Sequence, residues 1–291
     1  MTARRVIAGV GAAAVATSMY HVAPTPSAQA EICPDAEVVF ARGTDDAAPL
    51  GPTGEDFIAT LRSHVSLKWV RAYGVDYPAS LDFDKAVDGI GDARAHILAT
   101  AAGCPETKIV LGGYSQGAAV IGFVTASTVP DGVAADEVPT PMPAYIADHV
   151  SAVVLFAKPA PRVMRFLGDP TVTVGPRYTP KTLELCVDND LICDADGSSF
   201  AAHDTYTKSG MTERGAVFAA SKLMADWAAD AAAEAAAAAA AEPPGPDPRP
   251  EGTPRLPGPV LLAPPLPESP AVSPTPEPHF RQSSPVYGPM L

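Results

Sequence analysis

Short apolar runs alternate with longer segments of helical spacing through the middle of the chain. The apolar runs predict strands at 37–41, 69–73, 108–111, 149–156 and 182–186. Helical spacing of apolar residues predicts helices at 55–65, 83–102, 118–126 and 215–228. Because strands that alternate with helices form a mostly parallel sheet covered on both faces, the pattern predicts a three-layer α/β sandwich. Ligands of such sheets bind at the carboxyl ends of the strands, so residues that follow a strand are the candidates for function.

The start of the chain has the pattern of an export signal. Arg4-Arg5 supplies positive charge, residues 6–16 are apolar or small, and Ala28-Gln-Ala30 has the small-x-small form that signal peptidase accepts. The apolar run is shorter than the roughly 20 residues of a membrane-spanning helix. We therefore expect a cleaved signal peptide at 1–30 and a secreted or cell-envelope protein. The alternative is that the segment stays as an uncleaved anchor.

The last part of the chain differs in composition from the middle. Alanine dominates after residue 230, which favours a helical extension. Seventeen of the 33 prolines fall at 243–291, and proline at that density is incompatible with helices or sheet ladders. Composition thus predicts one α/β domain at 31–230, then an alanine-rich helix and a disordered proline-rich tail at 231–291. The tail could span a cell wall, dock a partner, or simply be solvated.

Acidic residues outnumber basic residues in this chain. The formal net charge is −13, and no run of lysine or arginine occurs. A nucleic-acid-binding protein normally shows a basic patch, so the sequence argues against that class of partner. The acidity mainly favours solubility and says little about the substrate.

Four cysteines follow the predicted signal. An even number in an exported protein favours two disulfides, for which three connectivities are possible. We favour Cys33–Cys104 and Cys186–Cys193, of which the second closes a short, stiff loop. A metal site is not expected, because no CxxC pair occurs and no histidines cluster near the cysteines.

One glycine-rich turn has the form of a nucleophile elbow. Residues 113–117 read Gly-Tyr-Ser-Gln-Gly and match the G-x-S-x-G pattern, which is common by chance. Here a predicted strand precedes the pattern and a predicted helix follows it, as an elbow requires. The glycines remove side chains where the strand and the helix crowd together. The alternative is an ordinary strand–helix turn, but the context favours Ser115 as the nucleophile.

A serine nucleophile needs a base, and histidine is the usual one. The chain has six histidines. Five of them fall in the predicted signal, in the tail, within predicted helices, or before a strand at the wrong end of the sheet: His21, His279, His64, His96 and His149. His203 is predicted to lie in a loop between the last strand and the last helix. Elimination therefore favours His203 as the base.

The base needs a carboxylate that fixes its tautomer. In α/β-hydrolases the order along the chain is serine, carboxylate, histidine. The candidates near strand ends are Asp188, Asp190, Asp194 and Asp196. Asp188 and Asp190 lie inside the short loop that the favoured disulfide would stiffen, and composition alone does not choose between them.

The reaction also needs N–H donors that face the negative oxygen of the tetrahedral intermediate. The backbone N–H of Gln116, the residue after the serine, is one candidate. The turn Arg42-Gly-Thr44 after the first strand can supply the other, and Thr44 adds a hydroxyl. The alternative for this triplet is an ordinary turn.

Taken together, these motifs resemble the cutinase family, and within it the cutinase-like proteins of mycobacteria and related actinobacteria. The shared features are Cys33-Pro34, Ala41-Arg-Gly-Thr44, Tyr73-Gly-Val-Asp-Tyr-Pro78, Cys104-Pro105, Gly112-Gly-Tyr-Ser-Gln-Gly-Ala118 and Cys186-x-x-x-Asp190-x-x-Cys193. The resemblance covers about residues 33–227, and the last two motifs together are quite specific.

The resemblance implies an α/β-hydrolase fold and hydrolysis of carboxylic esters without a metal or an organic cofactor. It implies Ser115, Asp190 and His203 as the catalytic residues, and Thr44 and Gln116 as the oxyanion hole. It also implies the two disulfides favoured above. Cutin, acylglycerols, model esters, phospholipids and thioesters are substrates within the family.

The segment 158–180 differs from the short connection of fungal cutinases, which favours an envelope lipid over cutin as the substrate. Met164, Phe166 and Leu167 in this segment could line an acyl groove or simply pack in the core. A phospholipase, a thioesterase or an acyltransferase would use the same catalytic residues. A catalytically silent lipid-binding envelope protein is the rival of another class. We expect an ester or lipid substrate, peripheral association with a membrane or cell wall, and a monomer.

Overall fold

The computed structural model describes residues 32–241, which form a parallel sheet with helices on both faces. The strands are β1 (Ala36–Ala41), β2 (Val70–Gly74), β3 (Lys108–Tyr114), β4 (Val150–Phe156) and β5 (Thr182–Leu185). The α-helices are α1 (Gly51–His64), α2 (Ala86–Gly103), α3 (Gln116–Val124), α4 (Ile146–His149), α5 (Pro161–Leu167), α6 (Phe200–His203) and α7 (Met211–Ala241). Short 3₁₀ helices lie at Phe83–Lys85 and Thr179–Lys181.

The five strands lie in the order β2-β1-β3-β4-β5, and every neighbouring pair is parallel. Successive side chains of a strand point to opposite faces, and both faces of β1 are buried. Val38 and Phe40 belong to a core shared with α1 and α7. Val39 and Ala41 belong to a second core, shared with α2 and α3. The predicted three-layer α/β-hydrolase sandwich is therefore confirmed.

The predicted elements differ from the observed ones mainly at their ends. Strand β3 continues through both glycines to Tyr114, so that the nucleophile turn begins without a loop. The last helix begins at Met211, four residues before the predicted start, and continues through the predicted alanine-rich extension to Ala241, where its residues beyond 230 are exposed. Helices α4, α5 and α6 were not predicted, since each has only four to seven residues. Within residues 32–241, no helix has the length and apolar character needed to cross a membrane.

Both predicted disulfides are confirmed. Cys33 pairs with Cys104, with a Cα–Cα distance of 5.5 Å, and joins the segment before β1 to the end of α2. Cys186 pairs with Cys193, with a Cα–Cα distance of 5.8 Å, and closes the loop that follows β5. The predicted signal at 1–30 and the proline-rich tail lie outside the described residues.

Candidate active site

The nucleophile turn joins β3 directly to α3. Ser115 lies between the two elements with φ 54° and ψ −117°, a region that residues other than glycine rarely occupy. The flanking glycines make the turn possible. A methyl group on Gly117 would collide with the carbonyl oxygen of Ala41, and one on Gly113 would collide with the carbonyl oxygen of Gly117. The close approach of β1, β3 and α3 thus requires glycine on both sides of the serine.

The three predicted catalytic residues lie in one chain of contacts at the carboxyl edge of the sheet. The Nε2 atom of His203 lies 2.9 Å from the Oγ atom of Ser115. The Nδ1 atom of His203 lies 2.9 Å and 3.0 Å from the two carboxylate oxygens of Asp190. All three distances are short enough for hydrogen bonds. The exposed Asp188, which the residue pattern left as an alternative, is not part of this chain of contacts.

Asp190 is fully buried, so its charge depends on its hydrogen bonds. Burial works to raise the pKa of the Asp190 carboxyl, but three hydrogen bonds outweigh it and hold the pKa below its usual value. These come from His203, from the backbone N–H of Ile192 at 2.7 Å, and from the Tyr206 hydroxyl at 2.7 Å. Asp190 is therefore an ionised acceptor at neutral pH.

His203 ends helix α6 rather than lying in a loop, so the predicted loop is wrong at this position. Ser199 caps the helix, because its hydroxyl accepts the N–H of Ala202 at 3.0 Å. In this capped turn the His203 ring faces β3. It stacks on the ring of Tyr114, with 5.0 Å between the two ring centroids. The Tyr114 hydroxyl donates to the His203 carbonyl at 2.7 Å.

Two tyrosines that the sequence pattern did not single out hold Asp190 and His203 in place. Tyr114 contacts His203, as described above, and Tyr206 donates to Asp190 while accepting the N–H of Val187 at 3.2 Å. Burial raises the pKa of both phenols well above the usual value, so both remain donors at neutral pH. The sequence positions of both tyrosines could have indicated this role. Tyr114 directly precedes Ser115, and Tyr206 follows His203 by three residues, about one helical turn.

Arg162 of α5 is a further missed residue. Its guanidinium donates to four backbone carbonyls of the loop that contains Asp190: Leu191 at 2.6 Å, Asp194 at 2.8 Å, Gly197 at 2.9 Å and Ala195 at 3.0 Å. Arginine suits this role because its planar fork of N–H donors can reach several acceptors at once. The loop is thus fixed by α5 as well as by its own disulfide.

The predicted oxyanion residues line the same cavity as Ser115 and His203. The turn that contains Thr44 is rigid, because the buried Arg42 guanidinium donates to the carbonyls of Asp46 at 3.1 Å and Tyr77 at 2.6 Å. The Gln116 side chain donates to the carbonyl of Ser80 at 3.1 Å. The contacts of Arg42 fix the turn that contains Thr44, and the contact of Gln116 fixes the start of α3 next to Ser115. The donor roles of Thr44 and Gln116 stay predictions.

One group of possible metal ligands occurs within residues 32–241, formed by Cys186, Asp190 and Cys193. The two sulfur atoms are joined in a disulfide and offer no thiolate. The carboxylate of Asp190 already accepts hydrogen bonds from three donors. This group therefore serves the geometry of the site rather than an ion.

The cavity around Ser115 has a volume of about 1100 Å³, larger than the roughly 300–1,000 Å³ of ordinary ligand pockets. Three large apolar side chains at its edge are mostly exposed: Leu81 (71%), Phe166 (88%) and Phe200 (64%). Ser115 is partly accessible at the bottom of this apolar opening. Within residues 32–241, this opening leads to the Ser115 hydroxyl.

Comparison with known proteins agrees with this site. The family model described as Cutinase matches residues 32–223. Probable carboxylesterase Culp5 of Mycobacterium tuberculosis is 52% identical over 169 residues, which cover 58% of this chain and 96% of that protein. Phospholipase Culp4 of the same organism is 44% identical over 222 residues, which cover 76% of this chain and 93% of that protein.

A solved structure shows the same similarity. Trichoderma reesei cutinase, in complex with a C11Y4 phosphonate inhibitor, is 32% identical with a TM-score of 0.50. The match covers 66% of this chain and 77% of that chain. An acetylxylan esterase at 22% identity, with a TM-score of 0.53, shares the fold. The chain thus belongs to the cutinase family and is a serine carboxylic ester hydrolase.

Proposed function

We propose that this enzyme cleaves esters through a covalent acyl-enzyme on Ser115. Nε2 of His203 takes the hydroxyl proton of Ser115 as Oγ attacks the ester carbonyl, and then gives this proton to the leaving alcohol. Asp190 stays ionised, fixes the tautomer of His203 and stabilises its positive charge. Water then attacks the acyl group, activated by the same histidine, and restores the free serine. The 2.9 Å contact between His203 and Ser115 is the observation that carries this proposal.

Thr44 and Gln116 supply the oxyanion hole in this proposal. Gln116 is the first residue of α3, and Thr44 lies three residues after the end of β1. Their backbone N–H groups therefore belong to the same edge of the sheet as Ser115. Such donors stabilise the transition state because they are already in place before charge develops on the ester oxygen. The hydrogen bonds of Arg42 to three backbone carbonyls support the oxyanion role of Thr44, because they fix the conformation of the 42–46 turn.

The substrate in this proposal is a lipid or another water-insoluble acyl ester. The exposed apolar side chains at the cavity edge support it, because such patches mark surfaces that bind lipids or other apolar partners. Leu81, Phe166 and Phe200 form this edge. The similarity to proteins named as a carboxylesterase and a phospholipase is also consistent with an acyl ester.

The site of action in this proposal is outside the cytoplasm, in secreted form or at the cell envelope. Two disulfides support export, because such bonds persist in oxidising compartments. The predicted signal at 1–30 would direct the export. Sequencing the N-terminus of protein recovered from culture medium and from the envelope would test both steps.

Replacing the nucleophile tests the proposed mechanism. Ser115→Ala should abolish the hydrolysis of p-nitrophenyl butyrate and the labelling by a fluorophosphonate, with a nearly unchanged thermal unfolding curve. Ser221→Ala is the matched control, because it removes an exposed serine hydroxyl of α7 and should leave both readouts intact. Turnover or labelling that persists in Ser115→Ala would refute the proposal.

A further inference from the structure

The turn after β1 places a second carboxylate at the cavity that contains Ser115. Asp46 lines this cavity together with His203, and its side chain is half-buried. One of its carboxylate oxygens, Oδ2, accepts the backbone N–H of Gly43 at 2.9 Å. The guanidinium of Arg42, in the same turn, donates to backbone carbonyls rather than to this carboxylate. The negative charge of Asp46 is thus held beside the cavity without a contact ion pair to Arg42.

The space that the Asp46 carboxylate occupies depends on two glycines. A Cβ atom added to Gly43 would lie 2.9 Å from Oδ2 of Asp46 and 2.6 Å from Cδ1 of Tyr114. A Cβ atom added to Gly51, whose φ is 66°, would lie 2.6 Å from the same oxygen of Asp46. Contacts this short essentially never occur, so a larger residue at either position would displace its neighbours. The turn is therefore built around the Asp46 side chain.

Two contacts from Asp46 fix the peptide group between Gly43 and Thr44. The carboxylate accepts the N–H of Gly43, and the backbone N–H of Asp46 donates to the Gly43 carbonyl at 3.2 Å. Asp45 has a φ of 58°, and a positive φ is what the third residue of a type II turn requires. Because the C=O and N–H of a trans peptide group point in opposite directions, the N–H of Thr44 points out of the turn. Asp46 thus sets the orientation of this N–H.

The backbone N–H groups of Thr44 and Gln116 donate to no acceptor among residues 32–241. Both residues line the cavity together with Ser115. The proposed oxyanion hole needs donors of this kind, which have no protein acceptor and are already oriented before the reaction. Of the two donors, the one that belongs to Thr44 depends on Asp46 for its orientation.

The Asp46 carboxylate also interacts electrostatically with His203. Burial raises the pKa of Asp46 above its usual value, while the N–H of Gly43 and the positive charges of Arg42 and His203 work to lower it. The charge of Asp204 raises it further. The attraction between Asp46 and a protonated His203 is mutual. The carboxylate therefore favours the imidazolium that forms when the histidine takes the serine proton.

Several elements contribute polar or charged groups around His203. Asp190 contacts the ring directly, whereas Asp46 acts on it through space. The groups that surround the ring are Asp190 of the loop after β5, Tyr114 of β3, Tyr206 after α6, Asp46 of the turn after β1, the adjacent Asp204, and Arg162 of α5, whose guanidinium is bonded to backbone carbonyls. A change of charge at Asp46 leaves the other groups in place.

We propose that Asp46 is a positioning residue of this enzyme, which orients the N–H of Thr44 towards the oxyanion and stabilises the positive charge of His203. This inference rests on the proposed acyl-enzyme and oxyanion hole. The first effect needs only a hydrogen-bond acceptor at the position of Oδ2, whereas the second needs a negative charge. Asp46→Asn keeps an acceptor and loses the charge, and Asp46→Ala loses both.

Steady-state kinetics with p-nitrophenyl butyrate separate the two effects. Loss of one oxyanion donor lowers kcat by about 10²–10³, so Asp46→Ala, which frees the Thr44 peptide group, should lower kcat at least about tenfold. The value of KM should change by less than about threefold, because the donor acts mainly in the transition state. In Asp46→Asn, kcat should stay within about threefold of the wild-type value, since the carboxamide oxygen can accept the N–H of Gly43.

The pH profile of kcat/KM tests the effect of charge. In Asp46→Asn the acidic limb should shift to lower pH by about 0.5 unit, because loss of a nearby negative charge makes His203 harder to protonate. Asp82 is the matched control, since its exposed carboxylate caps no helix and does not line the cavity. Asp82→Asn and Asp82→Ala should leave both kcat and the profile at wild-type values.

A wild-type kcat in folded Asp46→Ala, or equal losses of kcat in Asp46→Ala and Asp46→Asn, would overturn the assignment of Asp46. An unshifted profile in Asp46→Asn, or an equal shift in Asp82→Asn, would overturn it as well, and these two results do not require that Asp46→Ala folds. Loss of activity in Ser115→Ala, with wild-type behaviour of the Asp46 variants, would uphold the mechanism and reject only this inference. Activity that persists in Ser115→Ala would instead reject the proposed mechanism.

Discussion

Glu37 provides the clearest quantitative test of how this fold is stabilised. The side chain is buried in β1, at the end of the sheet away from Ser115 and His203. Its carboxylate accepts hydrogen bonds from Arg71 at 2.7 Å and Thr100 at 2.7 Å, and Nε2 of His96 lies at 3.2 Å. Burial alone would raise the pKa of Glu37, but these partners, His96 foremost, lower it from 4.5 to about 2.

The pKa shift sets the size and the pH range of the effect. A shift from 4.5 to about 2 corresponds to about 3 kcal/mol of folding free energy, at about 1.4 kcal/mol per unit. Because the folded-state pKa is the lower one, this contribution is complete at pH values well above 4.5. It is lost as the pH falls towards 2. At pH 3 roughly 1.4 kcal/mol should remain, which is less than half of the value at pH 7.

Glu37→Gln keeps the shape of the side chain and removes its charge. Urea unfolding should therefore show a loss of about 3 kcal/mol at pH 7 and a loss of about half that size or less at pH 3. Glu184→Gln is the control, because Glu184 forms an exposed pair with Lys158 that should contribute less than about 1 kcal/mol. Equal losses at both pH values in Glu37→Gln would refute the electrostatic reasoning.

Substitutions at three further positions test the contacts that support the candidate active site. Arg162→Ala removes four hydrogen bonds to the acid loop and should lower kcat by more than tenfold with a smaller change in KM, whereas Arg162→Lys should recover part of the loss. Steady-state kinetics of the two variants make this comparison. Tyr206→Phe removes a donor to Asp190, so the acidic limb of the kcat/KM pH profile should shift upwards, with a stability loss of about 1.5–3 kcal/mol in urea unfolding. An unshifted profile would mean that Tyr206 only fills space. Gly117→Ala places a methyl group against the carbonyl of Ala41 and should yield a protein that unfolds at a markedly lower temperature, or fails to fold, in calorimetry.

The sequence was most informative where function depends on order along the chain. Parallel strands end at one edge of the sheet, so Ser115 after β3 and Asp190 after β5 had to approach each other. Elimination among six histidines then pointed to His203, and the structure brings these three side chains together. The glycines of this motif also have a steric role, because a methyl group on Gly117 would collide with the carbonyl oxygen of Ala41.

The residues that the sequence did not reveal act through tertiary contacts. Arg162 lies in a seven-residue helix that has no amphipathic repeat, and its four acceptors are backbone carbonyls about 30 residues away. No residue type marks a carbonyl acceptor, so this set of contacts has no sequence pattern. Helix α6 was missed for a related reason, because a single turn capped by Ser199 is too short to show helical periodicity.

Helix α5 connects the wall of the cavity to the loop that contains Asp190. Met164 lines the cavity around Ser115 and packs with Ala119 of α3, while Arg162, two residues earlier, holds the loop that contains Asp190. A rigid helix of seven residues cannot move at one of these positions and stay fixed at the other. A substrate that contacts Met164 would therefore also act on the loop that contains Asp190. Substrates that differ in their contact with Met164 should, for this reason, differ in kcat as well as in KM.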